Sequence, residues 1–83
     1  MMTIDEFRAT GRDVADLSTI EHIACSGIES GAGRTYMDDQ LFIEHGEISG
    51  AWHLTLGNAQ LLGSLADMER KLYDWAVSEG YIA

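Results

Sequence analysis

The sequence predicts an α+β domain, on three observations. An amphipathic run near the C-terminus repeats every three to four residues, with apolar Leu65, Met68, Leu72, Trp75 and Ala76 on one stripe. The middle of the chain changes to a two-residue period, with Leu41 and Ile43, then Trp52, Leu54 and Leu56, alternating with polar neighbours. The N-terminus carries the start signal of a helix, Thr3-Ile4-Asp5-Glu6, in which Thr3 and Glu6 form a capping box. The expected architecture is short N-terminal helices, a three-stranded antiparallel meander and a C-terminal amphipathic helix packed on the sheet. Eighty-three residues make a single domain, residues 1–83, with a thin core.

Along the chain, Ile4 and Phe7 share one face of the first helix, which ends near Thr10 before Gly11. A connector anchored by Val14 and Leu17 leads to a second capping box, Ser18-Thr19-Ile20-Glu21. The short helix it starts closes at Ser26-Gly27 and depends on packing. Residues 27–34 hold three glycines and read as a loop. The first strand begins at Tyr36 and runs through Glu44, with Asp38, Gln40, Phe42 and Glu44 on one side. Residues 45–50 turn the chain. A second strand at 51–56 meets a third at 59–62 across a Gly57-Asn58 hairpin turn. Ser64 caps the last helix, Gly80 ends it, and Tyr81-Ile82 fold back as a hydrophobic closure. The inner sheet face is Leu41, Ile43, Trp52, Leu54 and Leu56, beneath Leu65, Met68, Leu72 and Trp75. The N-terminal helices extend the same layer or cover the opposite face; the sequence leaves both open.

Composition narrows the function. Fourteen Asp and Glu stand against five Lys and Arg, a formal net charge of −9. Such a surface repels nucleic acid and acidic membrane and attracts basic protein surfaces. Arg8, Arg12, Arg34, Arg70 and Lys71 are too scattered for a phosphate-binding footprint. No apolar run reaches the ~20 residues of a membrane span, and no basic-then-apolar leader is visible. The single Cys25 excludes an internal disulfide, so the expected compartment is reducing and cytoplasmic.

No catalytic, cofactor or metal motif stands out, and no enzymatic activity is expected. His22 and Cys25 are three apart on the second helix, but a structural zinc site needs four ligands and only His45 and His53 remain as further histidines. The paired carboxylates lie on caps and turns without a cleft to shift a pKa. The glycine loop lacks the Gly-Lys-Ser/Thr of a phosphate cradle. The excess charge is concentrated in residues 1–50, which carry ten acids and three bases. The candidate partner-binding surface is therefore acidic: Glu29, Asp38, Asp39, Glu44 and Glu47, with Phe42 and Ile48 as exposed apolar anchors.

In size, single-domain organisation, absence of cofactor motifs and carboxylate density, including Asp38-Asp39, Glu44 and Glu47, the chain resembles the small acidic inhibitors of phages and mobile elements, anti-CRISPR proteins in particular. That resemblance implies a non-enzymatic binder that occupies the basic groove of a CRISPR effector and blocks target DNA. Two other classes stay open. One is an adaptor or antitoxin-like partner acting through the apolar stripe and Tyr81 or Ile82. The other is a homodimer paired through an edge strand at residues 59–62 or 35–44, in place of a monomer.

Overall fold

The computed structural model describes residues 1–14, 33–38, 40–45 and 51–82. Two helices and five strands follow one another as α1 (Ile4–Thr10), β1 (Arg12–Val14), β2 (Gly33–Tyr36), β3 (Leu41–His45), β4 (Trp52–Leu56), β5 (Ala59–Gly63) and α2 (Leu65–Ser78). The strands form one antiparallel sheet in sequence order, β1-β2-β3-β4-β5. The class is α+β, but the meander has five strands, not three. The expected second helix at residues 18–26, with His22 and Cys25, lies outside the described residues.

Both extra strands were hidden by composition. β1 spans only three residues, too few to show alternation. β2 begins inside the expected glycine loop, at Gly33 and Arg34, and pairs with β3 from Gly33↔Glu44 to Tyr36↔Leu41. This strand position takes glycine because no side chain fits there: a Cβ would stand 2.0 Å from Phe42 Cζ and 2.9 Å from the Ile43 carbonyl oxygen. The strand expected from Tyr36 through Glu44 is thus two strands and a turn. Met37 and Asp38 occupy that turn in left-handed conformations, φ 52° and 55°.

The helices are built as their signals require. At α1, the Glu6 N–H donates to Thr3 Oγ1 and the Thr3 N–H donates to Glu6 Oε1, closing the capping box. Those bonds hold the Glu6 carboxyl below its ordinary pKa of 4.5. At α2, Ser64 accepts from the Asp67 N–H at 3.2 Å. Beyond the other end, the Tyr81 N–H donates to Ala76 O and the Gly80 N–H to Val77 O, with Gly80 at φ +84°. This is a Schellman closure. It turns Ile82 into the core, 4% exposed, and stacks Tyr81 on Trp75 at 5.3 Å.

Strand register fixes the faces. Tyr36, Leu41, Ile43 and Leu54 turn toward α2, where Met68, Leu72 and Ala76 are buried. α1 joins the same layer, which settles the open question of its docking. Phe7 stacks on Tyr36 (4.8 Å, 11°) and meets Tyr73 of α2 edge-on at 5.7 Å. Tyr73 donates its hydroxyl proton to the Met2 carbonyl at 2.6 Å. Phe7 is fully buried. Burying a side chain of that size stabilises by ~1.5–3 kcal/mol.

Candidate functional site

Four of the described acids lie beside arginines. Arg8 lies 3.7 Å from Asp5 and 3.8 Å from the buried Glu69, Arg34 lies 3.3 Å from Asp13, and Arg70 lies 3.3 Å from Asp74. Arg34 also donates to the Gly11 carbonyl at 3.2 Å, tying β2 to the end of α1. Among the described residues, Arg8, Arg34 and Arg70 are thus held by Asp5, Glu69, Asp13 and Asp74. Over the whole sequence fourteen acids stand against five bases, so nine negative charges have no basic residue to offset them. Arginine neighbours cannot cancel that surplus, wherever the carboxylates stand.

Of the sequence-predicted site, Asp38, Phe42 and Glu44 are described. Glu29, Asp39, Glu47 and Ile48 lie outside the described residues. Asp38 is exposed in the β2–β3 turn and not on a strand. Its turn is braced by the Met37 N–H donating to Thr10 Oγ1 at 3.2 Å and by the Gln40 N–H donating to Met37 O at 3.3 Å. A cleft of about 400 Å³ opens beside it, between Met2, Thr10, Arg12, Thr35 and Met37. Glu44 is half-buried at the far end of β3, between Gly33 of β2 and His53 of β4, on the face away from the helices. Asp38 thus sits in the turn before β3 and Glu44 near the strand's far end, so the two do not form one cluster.

Phe42 corrects the expectation. Alternation places it on the face away from the helices, as expected, but it is fully buried there, its ring lying over Gly33. It is a core residue and cannot anchor a partner. Gly33 contributes: a strand position without a side chain leaves a slot into which the neighbouring strand's aromatic ring fits. Of the adaptor residues, Ile82 is buried and Tyr81 is half-buried and stacked on Trp75. Residues 35–44 do not form an edge either, because β2 and β3 are interior strands.

The most unusual chemistry in the described residues is internal. Tyr36 donates its hydroxyl proton to Glu69 Oε2 at 3.0 Å, across 33 residues of sequence, and Arg8 sits behind the same carboxylate. At 3.8 Å the Arg8–Glu69 contact is an ion pair without a hydrogen bond. Burial, then the Glu69 carboxylate, push the Tyr36 hydroxyl far above its ordinary pKa of 10. Nothing local in the sequence signals this trio; Glu69 reads there as one more exposed acid of α2. Tyr36 and Glu69 are buried while Arg8 stays partly exposed, and the trio joins α1, β2 and α2. Its role is to position elements, since a buried carboxylate must be paired.

His45 meets Trp52 edge-on at 5.0 Å. Among the described residues, no three His, Cys, Asp or Glu side chains converge to hold a metal ion. No helix among them is long and apolar enough to cross a membrane. Comparison with protein-family models, curated proteins and solved structures finds no match to this chain.

Proposed function

We propose that this chain is a non-enzymatic, stoichiometric binder of a Lys/Arg-rich protein surface. The partner class is a nucleic-acid-gripping groove such as that of a CRISPR effector, and the outcome is exclusion of target DNA. The same reading places it in the cytoplasm, where Cys25 stays reduced. The observation that carries it is the charge balance: fourteen acids stand against five bases, a net charge of −9, and among the described residues Arg8, Arg34 and Arg70 are already held by Asp5, Glu69, Asp13 and Asp74. Duplex DNA offers one negative charge per ~1.7 Å of axis. Asp38 and Glu44, with Glu29, Asp39 and Glu47, supply a sparser array of the same sign. Complementary fields of this kind speed encounter and select basic partners. With Phe42 in the core, the binding surface is more purely electrostatic than one built on an aromatic anchor.

The test is competition. Guide-RNA effector complexes are loaded with labelled target duplex and titrated with the chain at several salt concentrations. The proposal expects displacement that saturates at a fixed stoichiometry and weakens as salt rises. Unchanged duplex binding across a panel of effectors, at low salt and excess chain, contradicts it.

A further inference from the structure

The two edges of the sheet are unlike. β1 is three residues long, presents Arg12 and Asp13, and has Asp13 paired with Arg34. Short charged edges resist strand addition. β5 is five residues, Ala59–Gly63, without a charge. It sits in a stretch from residue 48 to residue 66 that contains no Asp, Glu, Lys or Arg, within a chain of net charge −9. Leu62 on this strand is 60% exposed.

The hairpin fixes which backbone groups face outward. A two-residue turn closes on a hydrogen-bonded pair, here Leu56↔Ala59. Leu54↔Leu61 and Trp52↔Gly63 then bond in the same way. The N–H and C=O groups of Gln60 and Leu62 point away from β4, and nothing among the described residues bonds to them. The sheet thus ends on two donors and two acceptors beside an exposed leucine, with no Lys, Pro or bulge to guard them.

We propose that β5 is a dimerisation edge whose occupant is the β5 of a second copy, antiparallel about a two-fold axis at Leu61. In that register Gln60 faces the partner's Leu62 and Leu62 faces the partner's Gln60, so the outward groups form four hydrogen bonds. Leu61 meets its own counterpart on the helix side, in the closer non-hydrogen-bonded spacing. Ala59 opposes Gly63, small against small. An isologous contact must tolerate its own charges, and this edge brings none into opposition. The neighbouring exposed side of α2 carries Asp67, Arg70, Lys71 and Asp74, two of each sign. A basic peptide would suit the acids elsewhere on the chain but gains nothing from this uncharged strand; a second copy is the self-complementary choice. The inference is independent of the function proposed above.

Sedimentation velocity from about 1 to about 100 µM tests it, reading the 9.1 kDa monomer against a species of twice that mass. The expected result is a dimer that tightens with salt, because two acidic chains repel, the opposite of binding to a basic partner. Leu62→Lys and Gln60→Pro each raise the dissociation constant about tenfold or more. The second removes only an outward N–H and leaves the β4–β5 ladder intact. In the unmodified chain, amide exchange at Gln60 and Leu62 slows as concentration rises. A chain that stays monomeric throughout, a dimer indifferent to both folded variants, or exchange at Gln60 and Leu62 that ignores concentration overturns the proposal.

Discussion

Replacing Gly33 by Ala probes the packing that moved Phe42 from the surface to the core. A Cβ at this position would lie 2.0 Å from Phe42 Cζ, 2.8 Å from Cε2 and 2.9 Å from the Ile43 carbonyl oxygen. Ordinary carbon contacts begin near ~3.5 Å, so the ring must retreat by about 1.5 Å. It has no open space, being fully buried, and the Ile43 carbonyl belongs to the interior strand β3. Overpacking of this kind costs about 1–3 kcal/mol. In a domain this small that lowers Tm by about 5–20 °C. The assay is thermal unfolding by circular dichroism, for Gly33→Ala, Phe42→Leu and the pair. Shortening Phe42 leaves a cavity by itself but makes room for the alanine methyl, so the double variant is less damaged than the two single losses added, by about 0.5 kcal/mol or more. A Gly33→Ala protein that melts with the parent, or losses that simply add, would refute the close approach of ring and backbone.

Three further outcomes follow from the same structure. Tyr36→Phe strands the buried Glu69 carboxylate with Arg8 alone and costs about 1–3 kcal/mol in chemical denaturation. Because burial raises the Tyr36 pKa, the folded state holds that proton after the unfolded chain has lost it; the parent's stability is complete below pH 10 and declines above it, a decline Tyr36→Phe reduces. Thr3→Ala removes the α1 cap and costs ~1 kcal/mol; the lowered Glu6 pKa means its contribution is present above pH 4.5 and fades as pH falls further, so the acid limb of the parent's stability profile flattens in the variant. Ile82→Ala empties the site beneath the Schellman closure and costs about 2–5 kcal/mol by thermal melt, whereas Ser78→Ala on the exposed side changes little.

What the sequence disclosed was whatever neighbours in the chain determine. The Thr3/Glu6 box, the Ser64 cap, the Leu65–Met68–Leu72–Ala76 stripe, the Gly57-Asn58 turn and the Leu41/Ile43/Leu54 face each depend on residues a few positions apart. The losses were at longer range. Gly33 looks like loop until Phe42, nine residues on, is seen across it. β1 becomes a strand only because Gly33–Tyr36 lies beside it. Glu69 reads as surface until Tyr36 and Arg8 are folded against it. The acidic surface was legible as a count but not as a place: Asp38 and Glu44 were expected on one strand face, whereas Asp38 lies in the turn before β3 and only Glu44 on the strand, and Asp5, Asp13, Glu69 and Asp74 are occupied by arginines.

The most direct measurement of the electrostatic account is the salt dependence of affinity for a basic effector groove, for the parent and for Asp38→Lys/Glu44→Lys. Asp38 is exposed and Glu44 half-buried, and circular dichroism checks that the variant keeps the parent's fold. The account predicts that parent affinity falls about tenfold or more between 0.05 and 0.2 M salt, and that the variant binds more weakly with a shallower slope. Parent affinity that stays level across that range, or a variant with the parent's slope, would contradict it.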